Sequence, residues 1–152
     1  MSREALEVRR MQEEDLDAAA AIEQALFSKP WSRESLAGAI KMQGNLYLSA
    51  FWDGQLAGYC GMWRSFEEGN ITNVAVAEPF RRRGIAVGML TRLMEMAGRE
   101  GVSRFFLEVR AGNQPALRLY EGLGFSSIGI RKNFYECPAE DAVIMEKTLL
   151  QF

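Results

Sequence analysis

The stretch Val74-Ala75-Val76-Ala77-Glu78-Pro79-Phe80-Arg81-Arg82-Arg83-Gly84-Ile85-Ala86 changes its hydrophobic period midway. It opens in a β-branched run, Ile71-Thr72-Asn73-Val74-Ala75-Val76, which reads as a strand stopped by Pro79. From Arg81 to Glu100 the period becomes helical: Ile85, Met89, Leu93, Met96 and Ala97 share one face, and Gly101 closes the helix. A strand, a short turn and a basic, glycine-bearing entry to a long helix therefore follow one another. Such a junction presents unpartnered backbone N–H groups at the positive end of a helix dipole, which suits a phosphate or diphosphate. Gly84 admits close approach of an anion, Ala86 is small for the same reason, and Arg81, Arg82 and Arg83 add charge-assisted donors. The Gly-Lys-Ser/Thr of a P-loop and the three glycines of a dinucleotide fold are both missing. On the residues alone, a solvated basic turn also fits. A nucleic-acid patch fits less well, because the arginines stand without interleaved aromatics.

Working toward the N-terminus, Leu46–Trp52 and Leu56–Trp63 read as strands joined at Asp53-Gly54, a strong hairpin signal, with Gly69-Asn70 leading into the next strand. Leu6–Met11 alternates as a first strand. Glu13-Glu14-Asp15 opens a helix carrying Leu16, Ala19, Ala20, Glu23 and Phe27, which Lys29-Pro30-Trp31-Ser32 breaks. Ser32 caps a second helix with Leu36 and Ile40, ended by Gly44-Asn45. Toward the C-terminus, Val102–Val109 is an apolar strand, and Asn113 caps a fourth helix with Pro115 in its first turn and Ala116, Leu119, Tyr120 and Leu123 inside. Phe125–Ile130 and Ala142–Leu149 are closing strands around a polar loop. The order β-α-α-β-β-β-α-β-α-β-β predicts an α/β (mixed α+β) architecture with helices on the faces of a mixed sheet.

The chain has 152 residues, 48% of them apolar and 25% charged, with 18 Lys+Arg against 20 Asp+Glu. That length suits a single domain, 1–152, without linker or repeat. A net charge of −2 supplies no field to draw nucleic acid or membrane. There is no histidine, which excludes Ser-His and Cys-His nucleophile pairs and imidazole zinc sites. Acid–base chemistry falls to Glu, Asp, Tyr, Lys, Cys or the substrate. Cys60 and Cys137 are far apart and read as buried or incidental thiols, so neither a metal nor a redox motif is legible. Met1-Ser2-Arg3-Glu4-Ala5-Leu6 lacks the apolar run of a signal peptide and no stretch approaches a membrane span, so a cytoplasmic location is expected.

Arg81-x-x-Gly84-x-Ala86 between strand and helix resembles the acetyl-CoA signature of the GNAT superfamily of N-acetyltransferases, which accepts Gly or Ala at its last position. Leu107-Glu108-Val109-Arg110-Ala111-x-Asn113, then Ala116-Leu117-x-Leu119-Tyr120-x-x-Leu123-Gly124-Phe125, resembles the second half of that fold. Arg131-x-Asn133-Phe134-Tyr135, Asp141-Ala142-Val143-Ile144-Met145 and the early Pro30-Trp31-Ser32 are similar to the bacterial RimI type, which acetylates the N-terminal alanine of a small-subunit ribosomal protein. The likeness runs from Val8 to Met145 in family order.

The resemblance implies a single-domain fold with a mixed central sheet of about seven strands and about four helices. It implies two splayed parallel strands that take the pantetheine arm of acetyl-CoA between them. Val74, Ala75 and Val76 would line the thioester, with the Val76 N–H donating to its carbonyl oxygen. Arg82, Arg83, Gly84, Ile85, Ala86 and Val87 would wrap the diphosphate, and Asn113 would contact the same molecule. Glu108 would accept the amine's proton and Tyr120 would supply one to the departing thiolate, roles suited to a carboxylate closing an apolar strand and a phenol on the next helix. Trp31, Phe134 and Tyr135 would shape the entry of the peptide. No metal, nucleic acid or membrane is implied; the partner is the N-terminus of a ribosomal protein.

Other readings stay open at this point. Glu108 could pair with Arg110 or Arg131, and Tyr120 could be a core aromatic. The acceptor could be a small amine of polyamine or aminoglycoside type, or the protein could bind acetyl-CoA without turnover, although a mere binder needs neither Glu108 nor Tyr120. Two departures from the pattern stand out: Ala86 replaces the commoner glycine, and the loop from Glu136 to Asp141 is this chain's own. Its Glu136, Glu140 and Asp141 could attract an arginine-rich peptide.

Overall fold

Asp53 and Gly54 adopt φ values of 50° and 83°, the left-handed pair that a two-residue hairpin needs, and they join β2 (Leu46–Trp52) to β3 (Gln55–Ser65). Around that hairpin the chain runs β1 (Leu6–Arg10), a 3₁₀ turn (Glu13–Asp15), α1 (Leu16–Leu26) and α2 (Arg33–Lys41), then the hairpin itself. It continues through β4 (Glu68–Val76), a second 3₁₀ turn (Glu78–Phe80), α3 (Ile85–Arg99), β5 (Arg104–Arg110), α4 (Gln114–Gly122), β6 (Ser126–Tyr135) and β7 (Glu140–Thr148). The structure is a computed structural model and describes residues 5–149; the signal-peptide reading of Met1 to Glu4 lies outside the described residues. Among those described, no helix is long and apolar enough to cross a membrane, and no group of three or more Cys, Asp or Glu could hold a metal ion.

The seven strands form one sheet in the order β1-β2-β3-β4-β5-β7-β6, antiparallel throughout except where β4 meets β5. The mixed sheet with four helices is the architecture expected. One face carries α1 and α2 over Tyr47, Tyr59 and Ala75; the other carries α3 over Leu48, Cys60 and Leu107, with Tyr120 of α4 joining the same core. Ser32 and Asn113 cap α2 and α4, accepting from the Ser35 and Ala116 N–H groups at 3.0 and 3.2 Å.

Several boundaries differ from the sequence reading. Gly69 and Asn70 do not precede a strand but lie inside β4, and the turn falls at Phe66 (φ 55°) and Glu67. Gly69 is there for space, since a Cβ would sit 2.9 Å from the Met62 sulfur. The helix read from Arg81 begins at Ile85, which leaves the arginines in the turn. Most of the polar loop is strand: β6 runs on to Tyr135, and Glu140 and Asp141 belong to β7. Phe27 is off the buried face of α1, 41% exposed where the backbone turns extended.

Asp15 shows how a buried charge is made tolerable. It accepts two hydrogen bonds from Arg9 (2.8 and 3.1 Å), one from the Gln12 N–H (2.9 Å) and one from Ser49 (3.0 Å). Burial works against its charge, but these donors win and hold the carboxyl below its ordinary value. A depressed value stabilises the fold above the unfolded carboxyl's range and is lost as pH falls through the folded one. Asp15→Asn is therefore expected to destabilise by about 1–3 kcal/mol at pH 7. The gap from wild type should close toward pH 3, as measured by denaturant unfolding at both pH values.

Candidate active site

β4 and β5 pair only through Glu68↔Arg104, Gly69↔Phe105 and Asn70↔Phe106. Beyond that point β4 stays with β3 up to Val76, while β5 follows β7 up to Arg110. An extra residue in β4 helps them part, because Asn73 pairs with Gly61 but Ile71 with Met62, leaving Thr72 as a bulge. The Ala77 N–H bonds back to the Ala57 carbonyl on β3 at 2.8 Å. Strand N–H groups alternate in direction, so those of Val74 and Val76 point away from β3, into the gap. A cavity of about 670 Å³ opens there, and Val74, Glu108, Asn113 and Tyr120 all line it.

At the far end of β4 the chain turns into α3. Arg82 and Gly84 have φ values of 65° and 74°, and the first bond within the helix runs from the Gly88 N–H to the Gly84 carbonyl at 3.0 Å. The N–H groups of Gly84, Ile85, Ala86 and Val87 thus have no partner inside the helix. Arg81 and Arg82 are exposed, whereas the Arg83 guanidinium lies over the Trp52 and Phe80 rings, 5.2 and 5.8 Å from their centroids. Ile85 and Ala75 are buried in the two cores, so only their backbones can face a ligand; Val87 is exposed.

Across the cavity, the Glu108 side chain is 34% exposed and its Oε2 lies 3.5 Å from the Arg131 Nε. An ion pair this open contributes about 0–1 kcal/mol and leaves the carboxylate available. Arg110 instead binds Glu140 and the carbonyls of Glu136 and Pro138. Tyr120 is 8% exposed and packs edge-on against Phe125 at 5.9 Å. Burial, with smaller contributions from Tyr135 and Cys60, pushes its phenol well above the usual value, so the proton stays on at neutral pH. Tyr135 is pushed up to about 12 by burial and by the charge of Glu108.

Trp31, Phe134 and Tyr135 also line the cavity, as do Lys29 and Glu136. Lys29 and Glu136 form an ion pair at 2.7 Å. Glu140 meets Arg110 and the Gly112 N–H, and Asp141 accepts from the Asn133 N–H and pairs with Lys132. The three acids read as bait for a basic peptide are thus each engaged within the protein.

The acetyltransferase (GNAT) family profile matches residues 13–125. The chain belongs to the GNAT family. It is an N-acetyltransferase by kinship with curated relatives. A Bacillus subtilis protein, provisionally named a ribosomal protein bS18 alanine N-acetyltransferase, is 36% identical over 143 residues, 93% of this chain and 95% of its own. The ribosomal protein bS18 alanine N-acetyltransferase of Escherichia coli strain K12 is 36% identical over 135 residues, 86% of this chain and 89% of its own. The crystal structure of the ribosomal-protein-S18-alanine N-acetyltransferase from Escherichia coli superposes with a TM-score of 0.89 at 31% identity, covering 97% of this chain and 96% of the other.

In this GNAT enzyme, sequence reasoning passed over Glu23, Tyr59 and Asn73, which are buried and hydrogen-bonded beside the cavity. The available signal was Glu23 itself, a charge in register with Leu16 and Ala19 on the inner face of α1. The two cysteines divide sharply: Cys60 is buried, which pushes its thiol up, and Cys137 is exposed. A thiol reagent should label one site rapidly in the folded protein, and Cys137→Ser should abolish that phase; rapid labelling of both would contradict the placement of Cys60.

Proposed function

We propose that this enzyme transfers the acetyl group of acetyl-CoA to the α-amine of a protein N-terminus, with the N-terminal alanine of a small-subunit ribosomal protein as acceptor. The observation that carries this reading is the convergence, on one gap between β4 and β5, of backbone donors on one wall and Glu108 and Tyr120 on the other. The names of the relatives, ribosomal protein bS18 alanine N-acetyltransferases, support the choice of acceptor. One domain performs the reaction, in the cytoplasm, without metal, nucleic acid or membrane.

The diphosphate of acetyl-CoA suits the four unpartnered N–H groups at the start of α3, with Arg82 free to add charge and Asn113 nearer the pantetheine. The Val76 N–H donates to the thioester oxygen, a contact that strengthens as negative charge grows there. An α-ammonium group has a pKa of about 7.7–8.0, so the acceptor must lose a proton before it attacks. Glu108 takes that proton and passes it to solvent, the C–N bond forms, the now cationic nitrogen gives up its second proton by the same route, the C–S bond breaks, and the Tyr120 O–H protonates the departing sulfur. The phenolate then recovers its proton from solvent. Holding amine and thioester together in one cavity supplies much of the acceleration, and no covalent enzyme intermediate is needed.

Thiol release from acetyl-CoA should follow addition of an alanine-starting peptide and should be absent with free alanine or a polyamine; turnover of the small amines alone would replace this acceptor. Glu108→Gln and Tyr120→Phe are each expected to lower kcat by about 10²–10⁴ while acetyl-CoA binding holds in calorimetry. Gly84→Ala, strained at φ 74°, should weaken that binding about tenfold, at a cost of about 1–2 kcal/mol. The rate with subsaturating peptide should climb through the α-ammonium range near pH 8 and show no fall from Tyr120 ionisation below about pH 10.

A further inference from the structure

Glu23 occupies a position on α1 whose neighbours in register, Leu16, Ala19 and Ile22, are core residues, and it is itself only 3% exposed. An unsolvated carboxylate is costly unless hydrogen-bonded, and this one is bound by two neutral donors. Its Oε2 accepts the backbone N–H of Trp31 at 3.0 Å, and its Oε1 accepts the hydroxyl of Tyr59. The same hydroxyl accepts from the Asn73 amide at 3.4 Å. Asn73 Oδ1 in turn accepts from Thr72 at 2.6 Å and from Tyr47 at 3.4 Å. Burial and the Glu23 carboxylate keep the Tyr59 phenol protonated, so it remains a donor.

This chain of hydrogen bonds spans two walls of one cavity. Trp31 belongs to the segment between α1 and α2, which has no helix or strand of its own, and Asn73 sits at the β4 bulge next to Val74. Glu23, Trp31, Asn73 and Val74 all line the cavity. Elsewhere in that segment Trp31 packs against the core under α1 and α2 and Ser32 bonds into α2, while the Lys29–Glu136 pair is solvent-exposed and therefore weak. A hydrogen bond inside the protein is electrostatically stronger than one in water, so the buried Glu23 is the firmer point of attachment.

We propose that Glu23 is a positioning residue for the acceptor: its carboxylate holds the Trp31 wall at a set distance from the β4 strand, so that an incoming N-terminus meets one geometry. The inference rests on the peptide reading above and names the residue that sets its entry. It requires no proton transfer by Glu23.

The test compares wild type, Glu23→Ala, Glu23→Gln and Tyr59→Phe in steady-state turnover of an alanine-starting peptide, with hydrogen exchange at the Trp31 amide. Glu23→Ala should raise the peptide KM at least about tenfold and leave kcat and the acetyl-CoA KM within about threefold. Glu23→Gln should restore the peptide KM to within about threefold of wild type, because its amide oxygen still accepts from Trp31 and its NH₂ can donate to the phenol oxygen. Tyr59→Phe, which keeps the packing, should raise the peptide KM measurably and carries the test if Glu23→Ala fails to fold. Trp31 amide exchange should be slow in wild type and fast in Glu23→Ala, or in Tyr59→Phe if only that variant folds. An unchanged peptide KM in both Glu23→Ala and Tyr59→Phe, or a loss confined to kcat, would overturn the proposal. If wild type acetylates no peptide, the acceptor reading fails on its own, and the Trp31 amide decides: exchange unaffected by the substitution overturns the role of Glu23 and faster exchange sustains it.

Discussion

Three residue pairs join β4 to β5, and then the strands part. A sheet normally satisfies its backbone by pairing every interior strand on both edges; here one edge of β4 goes unpaired from Ile71 to Val76, and the cavity takes up the space. The rest of the molecule follows from that opening. The bulge at Thr72 starts it, β3 and β7 hold the outer edges so that the sheet survives it, and α3 begins where β4 ends, so its unpartnered N–H groups meet the same space. An acetyl thioester needs a slot with backbone donors along its side and positive dipole at its end, and the parted strands supply both.

Most of the architecture was legible in the residues because local signals agree with the final fold. Asp53-Gly54 can hardly be anything but a tight turn, and Ser32 and Asn113 mark helix starts by their side-chain chemistry. The misreadings arise where tertiary packing overrides local preference. Gly69-Asn70 looks like a turn and is strand, because it pairs with β3 on one edge and β5 on the other, where Met62 and Phe105 leave little room for a Cβ at Gly69. Residues 131–135 look polar enough for a loop but belong to β6, with Arg131 and Tyr135 paired to β7 across a register shift, since an edge strand can be almost wholly solvated. At the site, the Glu108, Asn113 and Tyr120 spacing picked out residues that line one cavity, and the Arg81–Ala86 motif falls at the turn into α3. The separation of β4 from β5 was legible only through the family resemblance and not from periodicity or composition, because pairing register is a property of two distant segments. The same distance hides the link from Glu23 through Tyr59 to Asn73.

The absence of histidine acquires a structural complement. Glu108 is held partly in solvent beside a loosely paired arginine, and Tyr120 is buried deeply enough to remain a phenol. In the proposed reaction, one group in each environment would separate a proton acceptor from a proton donor without imidazole. Elsewhere buried carboxylates serve the scaffold: Asp15 ties β1 to β2 through Arg9 and Ser49, and Glu23 ties the Trp31 backbone to Tyr59 of β3.

The central claim is that the gap delivers acetyl to an α-amine. Tandem mass spectrometry of a peptide bearing both an N-terminal alanine and an internal lysine, after incubation with the enzyme and acetyl-CoA, tests it most directly. The account predicts a single acetyl group on the α-nitrogen. Acetyl found on the lysine side chain, with the N-terminus free, would contradict it.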